Sequence, residues 1–196
     1  MQKGASRLGI EIREESIESL AEYAELSIAF RVEKTLEVST EGSGLGGIAL
    51  HEQLLEPAYV KDSDEREHPT HWSQRFNLAN WGLLAARDDG ARVGGAVIAI
   101  KTDKLYMLDG RSDLAVLWDL RVRPESRGTG VGSLLFQATE EWARDRGCIQ
   151  LKIETQNNNV RACHFYARMG CTLGGIDRYK YREYPGETQL VWFKKL

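Results

Sequence analysis

Apolar and polar residues alternate in "LGIEIRE" (Leu8 to Glu14), the two-residue period of a strand with one buried face. The period then lengthens. Ile17, Leu20, Ala21, Ala24 and Ile28 recur at helical spacing within Ser16 to Phe30, and Ser16 is placed to cap the first turn. "FRVEKTLEV" and "IALHEQLLEPAYV" predict two strands joined by the flexible "STEGSGLGG". "KDSDEREH", Lys61 to His68, carries no apolar side chain and predicts a solvated, mobile loop. In "WGLLAARDDGARVGGAVIAIKTD" two apolar runs flank Asp89-Gly90, the chemistry of a tight hairpin turn. "DLAVLWDLRV" (Asp113 to Val122) is apolar on both faces and predicts a central strand. A helix follows, with Val131, Leu134, Leu135, Ala138 and Trp142 on one side and Glu140, Glu141 and Arg144 on the other. "IQLKIET" predicts a strand and "NNVRACHFYARMG" a helix ending at Gly170. "CTLGGIDRYKYR" and "TQLVWFKKL" close the chain as two strands.

The resulting order is β-α-β-β-β-β-β-α-β-α-β-β, an α/β layer fold in a single domain spanning 1–196. The segment from Asp113 to Ile153 makes one right-handed strand–helix–strand crossover, which requires parallel strands; the rest is largely antiparallel. With 196 residues the chain can fill one core, and 42% hydrophobic with 28% charged residues is ordinary for a globular protein. A net charge of −3 argues against a general grip on nucleic acid and leans toward a cationic small substrate. Cys148, Cys163 and Cys171 form no C-x-x-C pair and read as reduced thiols. The first residues turn charged before any apolar core of a signal peptide develops, and the longest apolar run, "GGAVIAI", falls far short of a membrane span. A cytoplasmic protein without membrane or nucleic-acid partners is expected.

Two glycine clusters compete as phosphate cradles. "GSGLGG" (Gly42 to Gly47) spells G-x-G-x-x-G, but "IALHEQLLEP" after it alternates like a strand, so a hairpin turn is expected there. "RGTGVG" (Arg127 to Gly132) follows a strand, is preceded by Pro124 and opens a helix at once. Free N–H groups at that helix start, aided by the helix dipole, suit a phosphate or pyrophosphate, and Arg127 and Ser133 are placed to add contacts. No Gly-Lys-Ser/Thr closes the loop, so it is not a Walker A motif. "HPTH" (His68 to His71) has no neighbouring Cys or carboxylate set, and no metal is expected. Cys163 and His164 are adjacent on a helix and point apart, which gives no nucleophilic dyad.

"LWDLRVRPESRGTGVGSLL" resembles motif A of the GNAT family of N-acetyltransferases, whose Gln/Arg-x-x-Gly-x-Gly/Ala signature falls on Arg127, Gly130 and Gly132. "ETQNNNVRACHFYARMGC" resembles motif B, with Asn159, Ala162, Tyr166 and Gly170 in register. Asn159, Ala162 and Tyr166 share one helix face at i, i+3 and i+7. From about Leu114 onward the chain is also similar to the streptothricin acetyltransferase branch, while its N-terminal part agrees only in layout.

The resemblance implies the GNAT acyl-CoA fold, a mixed and largely antiparallel sheet flanked by helices with splayed central parallel strands, its cofactor-binding core at about 80–196. It implies acetyl-CoA as co-substrate, its diphosphate on the loop from Arg127 through Gly128, Thr129, Gly130, Val131 and Gly132 to Ser133. Leu120 and Val122 would pair with the pantetheine arm, and Asn159, Ala162 and Tyr166 would complete the cofactor surface. The Val122 N–H would hold the thioester oxyanion, and Tyr166 would protonate the departing sulfur. Glu154 and Asp119 are the candidates for the base, each with a plain alternative as a strand carboxylate paired with Arg121, Arg123 or Lys152. The implied acceptor is a small cationic amine, foremost the β-lysine amine of streptothricin. A polyamine, another antibiotic, a protein N-terminus and a non-catalytic acyl-CoA sensor stay open as alternatives, as does a homodimer.

Overall fold

Along the described residues, 9–196, of the computed structural model run β1 (Ile10–Glu15), α1 (Leu20–Ala24), β2 (Phe30–Glu41), β3 (Gly47–Lys61) and α2 (Trp72–Arg75). There follow β4 (Trp81–Asp88), β5 (Ala91–Ala99), β6 (Leu114–Val122), α3 (Val131–Asp145), β7 (Gln150–Gln156), α4 (Val160–Arg168), β8 (Thr172–Asp177) and β9 (Gln189–Lys195). These divide into two units. The first holds the described residues up to Ile28 with Asp64–Leu151 and Leu196; the second holds Ala29–Ser63 and Lys152–Lys195.

In the first unit β1, β4, β5 and β6 lie side by side as antiparallel neighbours. The β4–β5 hairpin turns on Asp89 (φ 47°) and Gly90 (φ 83°), the double positive φ of the turn whose twist matches a hairpin. The two faces of this sheet carry different helices. On one, Tyr23 of α1 is fully buried, and a Cβ at Gly95 would meet its ring at 2.8 Å. On the other, α3 settles close because Gly94 admits Val131 and Leu135, and Gly82 lies under the Trp142 ring. Leu83, Val97, Leu114 and Val116 join Tyr23 and the rings of Trp72, Phe76 and Trp81 in one core. The second unit contains the long β2–β3 ribbon, the β7-β9-β8 strands and α4.

Three expectations need correction. The helix predicted over Ser16 to Phe30 shrinks to one 3-10 turn, capped by Ser16, and the five residues of α1. The carbonyls that a longer helix would use are taken elsewhere, Leu26 by Arg121 (3.1 Å) and Ser27 by Arg127 (3.0 Å). The "KDSDEREH" stretch is no free loop: its Asp64 meets a buried arginine, and its Lys61 pairs with Glu187 at 2.5 Å. Glu140, read onto the solvent side of α3, is buried and pairs with Arg144. The "GSGLGG" cluster forms the β2–β3 turn, as its sequence context predicts. The strand expected from Leu8 is β1; Leu8 itself lies outside the described residues.

Candidate functional site

In the first unit the sequence-predicted residues fall on β6 and the turn into α3. β6 is bulged: Asp119 opposes Val97 and Leu117 opposes Ile98, which leaves Trp118 as the extra residue. Trp118 lies against Trp72, Phe76 and Trp81 at centroid distances of 5.4–6.3 Å. Beyond the bulge, Val122 opposes Gly94 and the Arg123 N–H bonds the Val93 carbonyl at 2.9 Å. In an antiparallel ladder that pattern makes Val122 and Leu120 members of non-hydrogen-bonded pairs. Their N–H and C=O groups therefore point away from β5. The Val122 carbonyl accepts from Arg127 Nε at 3.0 Å.

The loop after β6 closes through two glycines in the left-handed region, Gly128 at φ 80° and Gly130 at φ 104°. A Cβ on Gly128 would meet open space, so backbone conformation rather than crowding demands glycine there. The Thr129 hydroxyl donates to the Ser126 carbonyl at 2.7 Å and tightens the bend. Gly130 caps α3 without any side-chain bond, and its carbonyl takes both the Ser133 and the Leu134 N–H. The N–H groups of Val131 and Gly132 begin the helix and have no acceptor within it. Arg127, whose side chain also reaches the Ser27 carbonyl, acts as a clamp on the loop.

Asp119 is committed. Its side chain is 7% exposed, and its Oδ2 accepts from Arg121 Nε at 2.7 Å. Burial pushes its carboxyl above the ordinary value while the Arg121 charge pulls it down. Arg121, 1% exposed, also donates to both oxygens of Asp64 at 2.7 Å and lies 5.2 Å from the Tyr23 ring. Burial and the Asp119 carboxylate raise the Tyr23 phenol well above its ordinary value.

In the second unit Glu154 on β7 is half-buried and held by two donors, Tyr181 Oη on Oε1 and Gln189 Nε2 on Oε2, each at 2.5 Å. Gln156 donates in turn to Tyr181 at 3.1 Å. Asn159 caps α4: its Oδ1 accepts the Ala162 N–H at 3.2 Å. Tyr166 is buried on α4, with its ring edge-on to Phe165 and its carbonyl accepting from Cys171 N. Cys163 is buried and its thiol is pushed up to about 11, while the exposed His164 reaches Glu52 instead. Cys163 and His164 therefore form no dyad with each other.

Sequence reasoning named Arg121 only as a possible partner of Asp119 or Glu154, and the structure pairs it with Asp119. It missed Asp64, Tyr181 and Gln189, although a guanidinium in a central apolar strand calls for more than one partner. Its partner Asp64 is 57 residues away and leaves no local trace.

The model of the acetyltransferase (GNAT) family matches residues 48–171. A streptothricin acetyltransferase of Escherichia coli is 35% identical over 109 residues, 54% of this chain and 63% of that protein. Streptothricin acetyltransferase A of Bacillus subtilis (strain 168) is 35% identical over 83 residues, 41% of this chain and 48% of that protein. The matched segments thus span from about half to under two thirds of these relatives' length. A Bacillus anthracis protein described as a streptothricin acetyltransferase, solved with acetyl coenzyme A, superposes with a TM-score of 0.75 at 25% identity, covering 95% of this chain and 99% of that one. The fold of the match is the one expected from the two motifs, an α/β acyltransferase with a largely antiparallel sheet and flanking helices.

Proposed function

Because the chain belongs to the acetyltransferase (GNAT) family, we propose that it moves the acetyl group of acetyl-CoA onto an amine of a small cationic molecule, the β-lysine amine of streptothricin. The chain works as one acetyltransferase domain in this reading. The observation that carries it is the turn from Arg127 to Gly132. Two left-handed glycines, Gly128 and Gly130, set successive main-chain N–H groups at the start of a 15-residue helix, the arrangement that holds a diphosphate. Arg127 shapes that turn through the Val122 and Ser27 carbonyls. Leu120 and Val122, whose main chain faces away from β5, offer donors and acceptors to the pantetheine amides.

The chemistry needs three acts. The amine gives up its proton to become a nucleophile, and Glu154 takes it, directly or through water, with its lone pairs aimed by Tyr181 and Gln189. The amine attacks the thioester carbon, and the Val122 N–H receives the charge that gathers on oxygen, a contribution of about 3 kcal/mol for an aimed main-chain donor. The C–S bond then breaks, Tyr166 hands its phenolic proton to the leaving sulfur, and the second proton, shed by the nitrogen as the amide forms, returns through water to the tyrosine. Asp119 is no base in this scheme, being spent on Arg121. Neutralising the amine weakens the drug's hold on ribosomal RNA, where cationic contacts dominate affinity. The names of the matched relatives support streptothricin as acceptor.

Release of free CoA thiol, followed with a chromogenic reagent over streptothricin, aminoglycosides, spermidine and short peptides, tests the reading. Turnover fastest with streptothricin is expected. Faster turnover with another amine moves the acceptor, and acetyl-CoA binding without thiol release from any amine points to an acyl-CoA sensor.

A further inference from the structure

The guanidinium of Arg121 is buried and held at every nitrogen. Nε donates to Asp119, Nη1 to Asp64 Oδ2 and to the Leu26 carbonyl, and Nη2 to Asp64 Oδ1, with the Tyr23 ring beside it. Four charge-assisted bonds on a side chain that is 1% exposed hold the guanidinium in one orientation. Arg121 opposes Gly95 as a hydrogen-bonded pair, so its own carbonyl points into β5. The same peptide plane carries the Val122 N–H on its opposite side. A tilt of that plane would re-aim the N–H, and the bulge at Trp118 leaves only the four residues from Asp119 to Val122 in regular pairing with β5 at this end of the strand.

We propose that Arg121, locked by Asp64 and Asp119, is a positioning residue that sets the direction of the Val122 N–H toward the acetyl carbonyl. The proposal rests on the reading of Val122 as the oxyanion donor. Asp64 is its distant half: the one acidic residue of the charged 61–68 stretch that closes a two-pronged bond on Arg121 holds the guanidinium plane, and with it the strand's main chain. Arg127 fixes Val122 itself, by donating to its carbonyl.

The test compares wild type with Asp64→Asn, Asp64→Ala and Arg121→Lys by three readouts. These are thiol release, acetyl-CoA affinity, and the infrared carbonyl stretch of bound acetyl-CoA labelled at the acetyl carbon. In wild type the stretch moves to lower frequency on binding. Both Asp64→Ala and Arg121→Lys lose most of that displacement and lose about 10- to 100-fold in kcat. Their KM for acetyl-CoA stays within about twofold, because the diphosphate loop is untouched. Asp64→Asn, which keeps the shape and one acceptor, recovers part of both. Variants that unfold earlier yet keep wild-type kcat and carbonyl stretch would overturn the proposal and leave the cofactor reading standing. A wild-type protein that binds acetyl-CoA with an undisplaced stretch would overturn both the proposal and the role of Val122, and one that binds no acetyl-CoA would overturn the whole assignment.

Discussion

The Tyr181 hydroxyl donates to Glu154 Oε1 at 2.5 Å, and Gln189 holds the other oxygen at the same distance. A carboxylate held by a donor on each oxygen is fixed in orientation, which suits a base for an ammonium. Glu154→Gln should lower kcat/KM for the amine about 100-fold with little change in the KM for acetyl-CoA. Tyr181→Phe should cost about tenfold by loosening the same carboxylate. Steady-state thiol release at varied amine and pH checks both, and full activity in Glu154→Gln would remove the residue from the mechanism.

Tyr166→Phe should slow turnover without ending it. A thiolate whose conjugate acid has a pKa near ~8.5 leaves tolerably well alone, so a loss of about tenfold in kcat is expected, with acetyl-CoA affinity retained. The side chain is buried, and its phenyl body stays in place in this variant. Calorimetry of acetyl-CoA binding beside kcat separates the two effects; unchanged kcat would return Tyr166 to a packing role.

Gly130 sits at φ 104°, where a Cβ is strained by about 1–3 kcal/mol. Gly130→Ala should therefore distort the turn and weaken acetyl-CoA binding at least tenfold, an effect larger than its loss of thermal stability explains. Titration calorimetry reads the first and thermal melting the second. Equal affinity in the variant would mean that the ligand does not touch this loop.

Glu15 supplies a pH dependence. Burial alone would push its carboxyl up, but the hydrogen bond from Arg87 and the charge of Arg92 outweigh it and hold the group below its ordinary value of 4.5. A carboxyl lowered on folding stabilises the fold above its unfolded value, and that contribution fades as pH falls through the lower folded value. At pH 7 Glu15→Gln should lose about 1–3 kcal/mol, read as a lower melting temperature. The gap between wild type and variant should close as pH drops below 4.5. A gap that stays constant with pH would show that packing, not charge, is at stake.

Much of this was legible in the chain itself. Asp89-Gly90 marked its hairpin, the period from Val131 to Trp142 marked α3, and the order strand–glycines–helix separated Arg127–Gly132 from the "GSGLGG" turn. What escaped was whatever depends on partners far apart in sequence. Five residues of helix stand where the periodicity promised more, since Arg121 and Arg127 claim the Leu26 and Ser27 carbonyls. Asp64 reads as solvated among its charged neighbours, yet it neutralises a buried guanidinium. Tyr181 and Gln189 carry no motif, and only the folded second unit brings them to Glu154. Asn159 matched a family position, but its capping bond to Ala162 is a local reason of its own.

A crystal structure with acetyl-CoA bound tests the central claim most directly. The diphosphate is expected against the main-chain nitrogens from Gly128 to Gly132, with the thioester oxygen within hydrogen-bond reach of the Val122 N–H. A diphosphate seated anywhere else on the chain would contradict it.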